Sequence, residues 1–142
     1  MKNINILQVN WSDFHTELEF VRRTVFCQEQ HVTEEEEMDG LDPNCVHFAA
    51  SLPDGKIIGC CRMRGNKMER LAVLSEHRKS GAGRLLVDSA LKFAATAGYS
   101  EVNIHAQTSV VEFYKKSGFK PHGEEFYEAR IPHYHMTAKL TE

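Results

Sequence analysis

Glu69-Arg70-Leu71-Ala72-Val73-Leu74-Ser75-Glu76-His77-Arg78-Lys79-Ser80-Gly81-Ala82-Gly83-Arg84-Leu85-Leu86 is where the chain changes its period. A strand over Met68 to Leu74 gives way to a short polar loop, and a helix opens at the glycines. Ala82, Leu85, Leu86, Leu91, Phe93 and Ala94 then lie on one broad helical stripe, with Gly98 as its stop. Small residues at such a helix start let backbone N–H groups approach an anion, and the free N–H groups and the helix dipole favour phosphate. Arg78 and Arg84 add charge-assisted donors. The segment is not a Walker loop, because GxxxxGK[ST] is absent. It is also a poor dinucleotide fingerprint, since Leu86 stands where the third glycine belongs. The plainer alternative is a strand-to-helix connection whose glycines serve packing.

Working outward, Ile4 to Val9 predicts a first strand, and Phe14, Leu18, Val21 and Val25 predict a helix with Ser12 or Asp13 as its cap. Glu34 to Asp42 predicts a short helix running into a loop. Val46 to Leu52 and Lys56 to Met63 flank the turn Pro53-Asp54-Gly55, and Gly65-Asn66 leads as a tight hairpin into the strand before the glycines. Beyond Gly98, Glu101 to Ala106 predicts a strand. Ser109-Val110-Val111-Glu112 predicts a capping box opening a short helix that ends at Gly118. Phe119 onward predicts a strand pair broken at Pro132, with Tyr134 to Leu140 as the last strand. Lacking repeats or linkers, residues 1–142 read as a single α+β (mixed α/β) domain.

Lys and Arg number 17 against 20 Asp and Glu, a net charge of −3, which is no footprint for nucleic-acid binding. The N-terminus, Met1-Lys2-Asn3-Ile4-Asn5-Ile6, lacks a signal-peptide core, and no apolar run approaches the roughly 18 residues that span a bilayer. Cys27, Cys45, Cys60 and Cys61 form no CxxC and read as reduced thiols of a cytoplasmic protein. In a strand, Cys60 and Cys61 point to opposite faces. Cys45-Val46-His47 has no second ligand pair at finger spacing, and His133 and His135 read as ordinary strand neighbours, so no metal site is expected.

Arg78-x-x-Gly81-x-Gly83 resembles the [QR]-x-x-G-x-[GA] signature of the GNAT N-acetyltransferase superfamily, which holds the pyrophosphate of acetyl-CoA. Phe113-Tyr114-Lys115-Lys116-Ser117-Gly118-Phe119 resembles the second motif of that family. Val25-Phe26-x-x-Glu29-Gln30, Asp39-x-x-Asp42, His47, Gly123-x-x-Phe126 and Ile131-Pro132-His133-x-x-Met136 resemble the YjcF/ElaA-like subgroup. Lys79 and Arg130 depart from the pattern, each standing where glycine is usual.

The resemblance implies a mostly antiparallel GNAT sheet flanked by helices, acetyl-CoA as co-substrate without a metal, and a small-molecule or peptide amine as acceptor. A homodimer is compatible with it. It also implies that the backbone of Leu71, Ala72 and Val73 receives the pantetheine arm and that Arg78, Lys79, Ser80, Gly81, Ala82, Gly83 and Arg84 cradle the pyrophosphate. Gln107 and Phe113 are further cofactor-side candidates. Tyr114 matches the position that protonates the departing thiolate; its plainer role is an aromatic anchor.

For the base, Glu69 shares strand parity with Leu71 and Val73, and its plainer role is an Arg-paired strand residue. His105 has the plainer role of a structural histidine. The run Glu34 to Glu37, with Asp39 and Asp42, reads as an acidic acceptor wall for a cationic amine or else as a solvated face. An amino-sugar-phosphate acetyltransferase would instead need Arg22 and Arg23 as a cationic wall. A non-catalytic acyl-CoA-binding module would need only Arg78, Gly81 and Gly83.

Overall fold

A computed structural model describes residues 3–140; the termini of the predicted domain, Met1 and Lys2 of the leader reading included, lie outside that range. Strand β1 (Asn5–Val9) leads into helix α1 (Trp11–Arg22), which widens into a π-helical segment over Arg23–Glu29. Helix α2 (Glu34–Glu37) and a 3₁₀ turn (Asp42–Asn44) precede the meander β2 (Val46–Ser51), β3 (Ile57–Arg64) and β4 (Lys67–Val73). A 3₁₀ turn (Ser75–His77) then leads into α3 (Ala82–Thr96), β5 (Glu101–Gln107), α4 (Val111–Lys115), β6 (Phe119–Glu128) and β7 (Ile131–Lys139). The sheet order is β1-β2-β3-β4-β5-β7-β6, antiparallel except between β4 and β5.

Two apolar clusters cover the two sheet faces. Leu18, Val21 and Val25 of the first helix pack on Ala49, Cys60 and Ala72. Leu86, Val87 and Ala90 of α3, with Tyr114 of α4, pack on Phe48, Cys61, Met63 and Ile104. The adjacent cysteines therefore point to opposite faces, as strand alternation requires. Both are free thiols.

Three local expectations are corrected. The first helix is preceded by Asn10, not capped by Ser12 or Asp13, and Asn10 uses its backbone carbonyl rather than its side chain. The capping box lies at Thr33 and Glu36, where Thr33 Oγ1 accepts from Glu36 N (3.1 Å) and Glu36 Oε1 accepts from Thr33 N (3.0 Å). At Ser109 a 3₁₀ turn over Thr108–Val110 precedes α4 and no side chain caps it, although both stretches carry the same sequence signal. Pro132 does not break the final strand. It pairs with Tyr127 of β6, and β7 meets β5 only from His133 onward, so the missing N–H is not required on that side.

A candidate acyl-transfer cleft

The functional site starts from a defect in the sheet. In β4, Ala72 pairs with Cys60 and Glu69 with Arg62, so Arg70 and Leu71 together oppose Cys61. This is a β-bulge, and Arg70 takes the left-handed conformation (φ +59°) within it. Bulges increase twist, and β4 and β5 touch only at Lys67 and Asn103 before parting. The widening gap opens into a cavity of about 780 Å³. Leu74 N donates to Ile58 O (2.9 Å), so by alternation the backbone polar groups of Val73 turn away from β3, toward the gap.

Of the residues singled out in the sequence, Glu69, Leu71, Ala72, Val73, Arg78, Gln107, Phe113 and Tyr114 all line this cavity. Lys79, Ser80, Gly81, Ala82, Gly83 and Arg84 do not line it. They follow Arg78 directly and form the turn at its rim. There Gly81 holds φ +96° with open space where a side chain would begin, and a Cβ on Gly83 would come within 3.3 Å of the Phe113 ring. The exposed Lys79 holds φ +65°, which accounts for the glycine usual at that position. Arg78 donates through Nε to Val73 O (3.0 Å) and through Nη2 to Glu29 Oε1 (2.6 Å), tying the rim to the π-helical segment. Arg84 is exposed and pairs with Asp88 (3.3 Å).

Tyr114 sits in the cavity wall with its ring edge-on to Phe113 and Phe119. Its hydroxyl has no hydrogen-bond partner among the described residues. Burial raises its pKa well above that of a free phenol, so the proton stays on oxygen at neutral pH.

Glu69 is in the cleft but is not free to act as a base. Arg62 donates to it at 2.8 Å, Arg64 at 2.9 Å, and Lys67 lies 3.3 Å away. Burial works to raise its pKa, but the hydrogen bonds and charges of Arg64 and Arg62, with Lys67, prevail and hold it at about 2. A carboxylate held this way takes no proton from an ammonium, which corrects the expectation drawn from strand parity alone.

The acidic wall is corrected for the same reason. Arg22, 1% exposed, donates to Glu37 (2.8 Å) and Asp42 (2.7 Å). Arg62 donates to Asp39 (2.6 Å) and Asp42 (2.9 Å), and Arg70 donates to Glu37 (2.7 Å) and Asp39 (3.3 Å). Glu36 pairs with Arg130 (3.0 Å), and Glu34 lies 3.5 Å from Arg23. Only Glu35 of the six carboxylates has no ion pair among the described residues. The buried Arg22 likewise cannot serve a cationic wall for a sugar phosphate.

Several residues of the cleft carried no sequence signal of their own. Glu128 lines it and meets His105 Nδ1. Val32 supplies apolar wall, together with Val110 and Ile131 of the stretches already quoted. Of the early block, Val25, Phe26 and Gln30 line the site, and Gln30 accepts from Gln107 Nε2 (2.8 Å); away from the cavity, Asp42 O contacts His47 Nε2 (2.9 Å). His133 lines the cavity with Nδ1 on Ile131 O (2.7 Å). Among the described residues no group of three or more His, Cys, Asp or Glu is placed to hold a metal ion, and no helix is long and apolar enough to cross a membrane.

The profile of the acetyltransferase (GNAT) domain matches residues 13–140. The uncharacterized N-acetyltransferase YjcF of Bacillus subtilis is 41% identical over 123 residues, 82% of this chain and 86% of its own. Escherichia coli ElaA superposes with a TM-score of 0.81 at 22% identity, over 98% of this chain and all of its own. The PaiA N-acetyltransferase of Thermoplasma acidophilum, solved in complex with coenzyme A, gives 0.68 at 21% identity, over 97% and 99%. A parted sheet, a glycine turn at its rim and a sequence match along nearly the whole chain converge: the protein belongs to the GNAT acetyltransferase family.

Proposed function

We propose that the protein transfers the acetyl group of acetyl-CoA to a primary amine by direct attack within a ternary complex. The observation that carries this reading is the gap between β4 and β5, with backbone turned away from β3 on one wall and an unpartnered phenol on another. The backbone of Leu71, Ala72 and Val73 meets the pantetheine arm as an added strand would. The amides from Arg78 through Gly83, at the start of a 15-residue helix, meet the pyrophosphate, with Lys79 and Arg84 adding charge. Phe113 packs under Gly83 and fixes the floor of the turn. Gln107, held by Gln30, orients the far wall.

Attack of an amine on the thioester carbonyl forms an oxyanion that expels sulfur, and the neutral Tyr114 hydroxyl donates a proton to the departing thiolate. Glu69 keeps Arg62 and Arg64 of β3 in place rather than moving a proton. The test is a screen with acetyl-CoA, read by thiol release, across benzylamine, spermidine, lysine, glucosamine 6-phosphate and a peptide with a free N-terminus. Thiol release with at least one amine is expected. Tight binding of acetyl-CoA without transfer to any of them would leave the acyl-CoA-binding module as the better account.

A further inference from the structure

The acceptor amine arrives protonated, and the mechanism above names no group that takes its proton. The other cavity-lining carboxylates, Glu36, Glu37 and Glu69, are each held by arginine. His105 is different. It stands on β5 at the cavity mouth with its side chain 32% exposed, and its Nδ1 meets Glu128 Oε1. Glu128 has no arginine or lysine partner among the described residues. A carboxylate on Nδ1 sets the tautomer, leaves the Nε2 lone pair as acceptor, and stabilises the imidazolium once formed. Nε2 has no hydrogen-bond partner among the described residues.

Position supports the same assignment. Ile104 and Ala106 of β5 are buried on the face shared with Tyr114, and His105 alternates to the opposite face. Acid and base thus lie on opposite sides of the parted sheet. One side serves the departing sulfur and the other the attacking nitrogen.

We propose that His105, oriented by Glu128, is the general base that deprotonates the acceptor ammonium. This rests on the amine-acetylation reading. His105 takes one proton, and the freed nitrogen pair bonds to the carbonyl carbon while the C=O π pair moves to oxygen. On collapse the C–S bond breaks, its pair goes to sulfur, and sulfur takes the Tyr114 proton. The second proton on the new amide nitrogen goes to solvent, from which the phenolate is restored, and His105 releases the net proton. The charged and titratable groups facing His105 are Glu128 from β6, Lys67 from β4 (3.5 Å from Nδ1) and His135 from β7 (ring centroids 5.5 Å apart).

The test uses the fastest amine of the acceptor screen and follows kcat against pH. His105→Gln is expected to lower kcat by about 10²-fold at neutral pH without changing the KM for acetyl-CoA. The deficit should shrink as pH approaches the pKa of the amine itself, because free amine then needs no base. Added imidazole should restore part of the rate to His105→Ala and none to the wild type, and Glu128→Gln should lower kcat with KM unchanged. His105→Asn with a thermal melt guards against misfolding of one variant. Wild-type kcat in folded His105 variants, a deficit constant with pH, or this behaviour in His133→Gln instead would overturn the assignment. A wild type that acetylates none of the amines would overturn the amine-acetylation reading itself, and the assignment with it.

Discussion

Lys79 and Arg130 each hold a left-handed backbone (φ +65° and +67°) that glycine adopts without strain. That conformation costs an L-residue about 1–2 kcal/mol, partly offset by the 0.5–1 kcal/mol that glycine loses in chain entropy. Lys79→Gly should therefore raise stability by up to about 1 kcal/mol in urea unfolding. Arg130 forms a two-residue turn with Ala129 (φ +48°) and reaches across to Glu36. Its guanidinium, with the Thr33 backbone and hydroxyl, holds the Glu36 pKa at about 2. This folded value lies below the unfolded one, so the contribution of Glu36 is present above the ordinary glutamate range and fades as pH falls from there toward about 2. In Arg130→Gly, carbon-detected NMR should show the Glu36 midpoint moving up toward that range. Tyr114→Phe keeps the packing and removes only the donor. Turnover should drop by about 10²-fold with acetyl-CoA affinity unchanged, and equal turnover with chemistry rate-limiting would reduce Tyr114 to a packing role.

At the scale of elements, α2 has four residues, too few to persist as an isolated helix. It is held by its capping box and by Arg22, Arg62 and Arg70, which join the first helix, the turn after α2 and strands β3 and β4 through shared carboxylates. Breaking a buried network by removing one member leaves charge uncompensated. Arg22→Met should therefore cost about 3–5 kcal/mol, measured by chemical denaturation. The same network changes the expectation for the acidic run. Glu34 and Glu35 do not line the cavity, so Glu34→Gln with Glu35→Gln should leave the KM for a cationic amine and its salt dependence unaltered. A clear rise in that KM would restore the acidic wall.

For the whole molecule, the parted sheet joins two helical layers across one cleft, and a ligand seated there touches both. Acetyl-CoA should raise the melting temperature, since at a hundred times its Kd a native-state ligand adds about 2.7 kcal/mol. Gly81→Asp should remove that shift by setting a carboxylate at the rim where phosphate approaches. Because φ at Gly81 is +96°, the variant will also melt lower without ligand, so the shift itself is the quantity to compare. A full shift in folded Gly81→Asp would move the pyrophosphate elsewhere.

Local pattern determined a great deal here. Alternation and helical stripes placed the strands and long helices, because burial repeats every two residues in one and about every 3.6 in the other. The glycine turn and the Phe113-Tyr114 motif were legible because each acts through neighbours close in the chain. Glu69 lies in the cleft but was misread in charge, and of the run from Glu34 to Asp42 only Glu36 and Glu37 line it. Their arginine partners lie up to 94 residues away, and which carboxylate meets which guanidinium depends on how helix and sheet pack. His105 and Glu128, 23 residues apart, become a pair only because β7 lies between β5 and β6. The periodicity of one chain reports which face a residue takes. Only tertiary structure decides which charges share that face, and through them which groups remain able to carry a proton.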